Sequence, residues 1–195
     1  NRMMQFMDND PYTFVMEHKE ADLKPLNTFV HRTFNGIDFI YFIKALRNIY
    51  TKHKGLEYAF SMHKKASDMY QNIHQFKKIF FELTHEKRTE KHVSDPLKGS
   101  AAKRLNMYLR WMVRPAVMGV DFGVWNRLKA AQLSCPLDVH SGNVARSLGI
   151  LNRKQNDFKA LVQLDTALRK FDPTDPVKYD FALFGLGVYE NFGAK

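Results

Sequence analysis

The sequence predicts an all-α chain. Apolar residues recur at three- and four-residue steps in four separate runs, each run ends in a Pro, Gly or polar break, and no stretch alternates β-branched with polar residues over strand length. The first run is Phe39, Phe42, Ile43 and Leu46; Asn35-Gly36 precedes it rather than joining two strand-like runs. The second is Met69, Ile73, Phe76, Phe80 and Leu83, with Gln75, Lys77 and Lys78 between them, the pattern of an amphipathic helix. Leu105, Leu109 and Met112 form the third, and Leu161, Leu164, Leu168 and Phe171 the fourth. The most polar connector, 84–100, holds Asp95-Pro96 and Gly99 and is expected to hinge a helical lobe at 1–84 to a second lobe at 85–195. The opening Asn1-Arg2-Met3-Met4 lacks an evident initiator context, so a piece of the first lobe is expected upstream.

Composition narrows the function. With 195 residues, 45% hydrophobic and 13% aromatic, the chain can bury one sizeable core or two small lobes sharing a cleft. Its 30 Lys and Arg against 20 Asp and Glu leave a net charge of +10, which favours a polyanionic partner such as nucleic acid or an anionic membrane. The lone cysteine, Cys135, allows neither an internal disulfide framework nor an iron–sulfur cluster, and fits a reducing, cytoplasmic compartment. Apolar stretches such as 37–43 fall far short of the roughly 20 residues a membrane span needs, and no signal peptide is evident. The eight His form no His-Glu-x-x-His or Cys/His cluster, so no metal or other cofactor is expected. P-loop and Gly-x-Ser-x-Gly motifs are likewise missing.

The excess charge is concentrated. Between 98 and 129 lie seven basic residues (Lys98, Lys103, Arg104, Arg110, Arg114, Arg127, Lys129) and a single acid, Asp121. On a helix starting near Ser100, Lys103, Met107, Arg110 and Arg114 share a face, while Leu105, Leu109 and Met112 point elsewhere. Such a basic ridge suits a phosphate backbone; a solvated charged face is the plain alternative.

The string Pro136-Leu137-Asp138-Val139-His140-Ser141-Gly142-Asn143-Val144-Ala145-Arg146-Ser147-Leu148-Gly149 resembles the Val-Asp-Thr-His-Val-x-Arg-Val-x-x-Arg-Leu-Gly stretch of the endonuclease III, or helix-hairpin-helix, superfamily of DNA glycosylases, which includes the 8-oxoguanine type. That resemblance implies that Asp138 is the catalytic carboxylate at a helix start. An N-cap role is compatible with it, because amide donors keep a carboxylate ionised, as stabilising an oxocarbenium-like sugar requires. His140 reads better as a helix-start hydrogen-bonding residue beside DNA than as a metal ligand.

In that superfamily a Leu-Pro-Gly-Val-Gly-x-Lys-Thr-Ala hairpin precedes the Asp, and its Lys attacks the sugar carbon bearing the damaged base. Asp95-Pro96-Leu97-Lys98-Gly99-Ser100-Ala101-Ala102-Lys103 is similar to it, which implies Lys103 as nucleophile, with Lys98 the competitor. An amine attacks only when neutral, and a helix N-terminus together with Arg104 disfavours the ammonium. Only one hairpin glycine, Gly99, is present, and an extra apolar segment from Arg114-Pro115 to Trp125 lengthens the path to Asp138, so the hairpin is degenerate. Residues 103–114 and 175–185 further resemble an uncharacterised bacterial family assigned to this superfamily; Asp180-Phe181-Ala182-Leu183-Phe184-Gly185 looks like its closing helix, expected to pack in the core.

The resulting expectation is a two-lobed, glycosylase-like helical fold that grips lesion-bearing duplex DNA and flips a base into its cleft. Lys103 and Asp138 would carry base excision, with strand cleavage as an optional second activity, while Lys98, Gly99, Arg104, Arg110, Arg114 and His140 would hold DNA. Trp111 and Trp125 could stack on the extruded base, although packing is the commoner role for such residues. A non-catalytic DNA- or RNA-binding module with the same fold is the alternative, and a protein-interaction scaffold with an exposed apolar patch a third reading.

Overall fold

Asn35 caps the longest helix among the described residues, Gly36–Lys52. Its side chain accepts from the Asp38 amide at 3.3 Å while Asp38 returns the bond to the Asn35 amide at 3.0 Å, a reciprocal cap that satisfies two otherwise orphaned donors. The helix needs Gly36 at its start, since a Cβ there would come within 2.5 Å of the Asn27 Cα. The structure is a computed structural model that describes residues 2–63 and 69–193; the expected upstream piece before Asn1 lies outside them.

The order of helices is α1 (Arg2–Gln5), α2 (Pro11–Glu17), α3 (Glu20–Leu23), α4 (Gly36–Lys52), α5 (Leu56–Ala59), α6 (Met69–Phe80), α7 (Lys103–Val113), α8 (Val139–Ser147), α9 (Phe158–Phe171) and α10 (Tyr179–Tyr189), with 3-10 turns between several of them. The chain is mainly α-helical, and all four periodic runs lie in helices, although α6 stops at Phe80 and leaves Leu83 outside. One feature departs from an all-helical reading. Val30–His31 and Phe34–Asn35 form a two-stranded antiparallel ribbon with Val30 opposite Asn35, too short to show the alternation by which strands are read.

The described residues divide into two compact units, one of 1–60 with 75–93 and one of 61–74 with 94–195. In the first unit, Val15, Leu23, Leu26, Phe29, Phe39 and Ile43 bury a common core. Residues 85–93 of the expected hinge belong to this unit and are firmly tied there: Arg88, Thr89 and His92 all bond to the buried Asp38 carboxylate. In the second unit, α8, α9 and α10 supply Val144, Leu161, Leu164, Leu168 and Leu183 to a core that also encloses Cys135.

The rest of the connector shapes the second unit's site. Asp95 caps the turn Pro96–Lys98 by accepting the Leu97 amide at 3.1 Å, and His74 Nδ1 bonds the same carboxylate at 3.0 Å. Gly99 then reverses the chain at φ +91°, a conformation open to glycine without strain. Its carbonyl accepts the Phe158 amide at 2.9 Å, tying the turn to the start of α9.

Candidate active site in the second unit

Lys103 is the first residue of α7, and Asp138 is the N-cap of α8. The two side chains meet: Lys103 Nζ donates to Asp138 Oδ2 at 2.9 Å. The Asp138 side chain is 10% exposed and that of Lys103 45%, so the pair is rooted in the protein and open on the lysine side. The other carboxylate oxygen, Oδ1, accepts the Ser141 amide at 2.9 Å and the Ser141 hydroxyl at 3.1 Å. The Asp138 amide in turn donates to Ser141 Oγ, completing a capping box, and Asn156 Nδ2 donates to the Asp138 carbonyl at 2.7 Å. Burial works against the Asp138 charge, but the Lys103 ammonium and the Ser141 donors outweigh it and lower the carboxyl's pKa.

The approach to α7 is unusual. Ala102 adopts φ +46°, ψ 39°, a left-handed conformation disfavoured for a residue with a Cβ. It is held there by Ser100 Oγ, which accepts the Ala102 amide at 3.1 Å, and by Asn106 Nδ2, which donates to the Ala101 carbonyl at 2.9 Å. The strained turn delivers Lys103 to the start of the helix. The ammonium is met there by the Asp138 carboxylate.

Behind the pair lies a buried ionic network. Arg110 is 4% exposed and lies between Asp121, 3.1 Å from Nε, and Asp180, which bonds its Nη1. Arg114 binds Asp175 through Nη2 at 2.8 Å and also Asp121 through Nη1. The Phe181 ring lies under both guanidinium groups, 4.4 Å from the Cζ of Arg110 and 5.4 Å from that of Arg114. The phosphate-contact roles expected for Arg110 and Arg114 are therefore corrected. Their helical face turns inward, and carboxylates distant in sequence occupy their donors. Asp180 is raised to about 6, mainly by burial; Arg110 pulls it down and the Asp138 charge pushes it further up.

The remaining predicted residues stay at the surface. Lys98, Gly99 and Arg104 are exposed, as is His140, whose ring meets Phe184 edge-on with centroids 5.9 Å apart. Trp111 is 38% exposed on α7, and Trp125 is half-buried edge-on against Tyr108 at 5.5 Å. The inserted segment holds Val117, Phe122 and Val124 outward and is pinned by the buried Asp121 and by the Phe122 amide, which donates to the Trp111 carbonyl at 2.7 Å. Among the described residues no group of three His, Cys, Asp or Glu side chains is placed to hold a metal, and no helix is long and apolar enough to cross a membrane.

Sequence reasoning missed Asp121, Asp175 and Asp180 as partners of the arginines, and Phe184 as the ring that meets His140. In Asp180-Phe181-Ala182-Leu183-Phe184-Gly185 only Asp180 and Leu183 are buried, while Phe181 and Phe184 are more than a third exposed, so core packing does not account for the whole segment. The three-residue step from Asp180 to Leu183 was the available signal for an inward acid.

The chain belongs to the family described as protein of unknown function (DUF2400), whose model matches residues 1–189. No curated protein and no solved structure matches it.

Proposed function

We propose that this protein is a DNA glycosylase of helix-hairpin-helix type with lyase capacity, acting in base excision through Lys103 and Asp138. The observation that carries the reading is the 2.9 Å contact between an exposed lysine and an anchored carboxylate at the starts of two helices. Asp138 Oδ2 is placed to take the proton that the lysine must lose before it attacks. Lys103 Nζ then bonds to the sugar C1′ as the bond from C1′ to the base nitrogen breaks; the electron pair leaves with the base, which picks up a proton. The C1′–O4′ bond of the sugar then breaks, one of the two amine protons passing to the freed ring oxygen and the other to solvent, which yields an imine, the intermediate of strand cleavage. Asp138 hands the lysine proton on to the departing base and, ionised again, faces the positive charge that develops on the sugar.

The surroundings suit DNA. Lys98 and Arg104 are exposed and would supply phosphate contacts, while the exposed rings of Phe184 and His140, the latter two positions after Asp138, offer a stacking surface for an extruded base. An oxidised purine is the lesion class we favour.

A second reading keeps the nucleic-acid surface without the chemistry. It is favoured by the completeness of the Asp138 cap, in which amide, hydroxyl and ammonium already fill both oxygens. The two readings part in a screen of lesion-bearing oligonucleotides with borohydride present, which reduces the imine to a stable amine. The glycosylase reading expects a covalent adduct that is lost in Lys103→Ala. Duplex binding without an adduct on any lesion selects the binding module, and an adduct kept in Lys103→Ala but lost in Lys98→Ala transfers the role to Lys98.

A further inference from the structure

The C-terminal half of α8 walls a pocket of about 350 Å³ that lies wholly within the second unit. Its described lining residues are Asn143, Arg146, Ser147, Lys154 and Gly193, and none of them is an acid. Gly193 shuts one side by close approach to α8. A Cβ there would come within 3.0 Å of the Asn143 carbonyl oxygen and of Ser147 Oγ, and its φ of +79° is open to glycine without strain.

The side chains of this pocket are donors to spare. Arg146 donates from Nε to the Arg153 carbonyl at 2.8 Å, from Nη2 to Asn156 Oδ1 at 2.5 Å and, more weakly, from Nη1 to Asn143 Oδ1 at 3.4 Å. Gly142 makes room for this arrangement, since a Cβ there would come within 2.9 Å of Arg146 Nη1 and 2.7 Å of Asn156 Oδ1. A guanidinium carries five N–H donors, so one remains on each Nη. All three acceptors are neutral, and among the described residues no carboxylate pairs with the Arg146 charge. Lys154 is exposed and has no described partner, and the Asn143 Nδ2 and the Ser147 hydroxyl likewise keep their donors. The end of α8 brings a partial negative charge of about half a unit to the same place, which two full positive charges outweigh.

We propose that this pocket binds a phosphate monoester. The free N–H groups on the two Nη atoms of Arg146 can each meet a phosphate oxygen, and Lys154 adds a point charge. Two cations match a monoester, which carries a charge of about −1.5 to −2 at neutral pH, better than the single charge of a backbone phosphodiester. The volume lies at the lower end of small-molecule sites and leaves room for the group that the phosphate esterifies, with Asn143 and Ser147 beside it. A free sugar phosphate and the 5′-phosphorylated end of a DNA strand share this chemistry. The proposal does not depend on the Lys103–Asp138 chemistry.

Calorimetric titration of the whole chain with ribose 5-phosphate, ribose and dimethyl phosphate tests the chemistry. Ribose 5-phosphate is expected to bind saturably below millimolar concentration, and the neutral sugar and the singly charged diester at least about tenfold more weakly. Lys154→Ala removes only an exposed side chain and should weaken ribose 5-phosphate by about tenfold; Arg146→Lys, which keeps the charge and loses the fork, should do the same, while Lys103→Ala leaves binding unchanged. A nicked duplex separates the two sources. A preference of about tenfold for a 5′-phosphate over a 5′-hydroxyl at the nick, abolished in Lys154→Ala, assigns the site to a strand end, whereas equal binding of the two duplexes beside saturable ribose 5-phosphate assigns it to a free sugar phosphate. If a folded chain neither binds ribose 5-phosphate nor prefers the phosphorylated nick, the proposal is overturned. Dimethyl phosphate binding as tightly as ribose 5-phosphate, or full affinity in Lys154→Ala, overturns it as well.

Discussion

Asp38 and Asp138 both lie at the start of a helix, and both close a capping box, yet one is walled in and the other left open. Asp38, in the first unit, is fully buried and accepts from the Asn35 amide, the Arg88 guanidinium, the Thr89 hydroxyl and the His92 ring. Burial opposes its charge, but those donors outweigh it and its pKa is lowered. Asp138, in the second unit, receives the same kind of cap from Ser141, but its one cationic partner is a lysine whose side chain is 45% exposed. A carboxylate enclosed by fixed donors can only hold the fold. One whose cation is exposed can exchange that partner for a substrate, which is why the second cluster, and not the better-built first one, is the candidate site.

The comparison predicts unequal costs. Asp38→Ala leaves Arg88 and His92 facing an empty centre and should destabilise the chain by about 3–5 kcal/mol, the usual penalty for breaking a buried ionic cluster. Asp138→Ala loses mainly a cap and should cost about 1 kcal/mol. Urea denaturation followed by circular dichroism measures both, and equal losses would erase the distinction between the clusters. Arg110→Ala belongs with Asp38→Ala at about 3–5 kcal/mol, since it strands Asp180 in the interior and leaves Asp121 with Arg114 alone. Arg104→Ala should leave stability nearly unchanged and instead flatten the salt dependence of duplex binding by about one phosphate contact. If Arg110→Ala flattens the salt dependence while folding normally, its burial has been misjudged.

Next in size comes pH. Asp38 and Asp138 have lowered pKa values, so the stability they contribute is present above the unfolded value near 3.8 and is lost as pH falls through their folded values. Asp180 has the opposite sign. Its folded pKa of about 6 lies above the unfolded value, so its contribution is complete below about pH 4 and is lost as pH rises through about 6, by about 3 kcal/mol at most. Thermal melts between pH 4 and 7 should show this downward slope reduced in Asp180→Asn. An unchanged slope would mean that Arg110 keeps Asp180 ionised throughout.

How much of this was legible in the sequence follows from the range of the interactions. The periodic runs marked α4, α6, α7 and α9 because helical periodicity is local, and the step from Asp138 to Ser141 marks a cap for the same reason. The pairing of Lys103 with Asp138 came from motif resemblance, since 35 positions separate them and no local rule joins them. The fate of Arg110 was illegible: its face of α7 looks like a basic ridge until Asp180, 70 positions away, is seen to meet it. Helical spacing shows which residues share a face but not which way the face turns. The Asp38 cluster was hidden in the same way, because Arg88 and Thr89 lie in a polar stretch that reads as a linker.

The smallest expected change in stability carries the most information about function. Lys103→Met keeps the length of the side chain and removes its charge. The lysine end of the pair is exposed, so solvent and salt already screen the attraction, and exposed ion pairs contribute about 0–1 kcal/mol. The Ser141 bonds to Asp138 persist, and the cap should hold the helix start as before. Denaturation midpoints of Lys103→Met and the parent should therefore nearly coincide, while the borohydride adduct on a cleaved lesion disappears. Asp138→Asn complements it: asparagine caps about as well, so stability stays close to the parent, but it cannot accept the lysine proton or face the sugar's charge, and excision should fall by orders of magnitude with duplex binding kept. If Lys103→Met costs several kcal/mol and leaves excision intact, the pair is a structural staple like the Asp38 cluster, and the contrast between the two carboxylates fails.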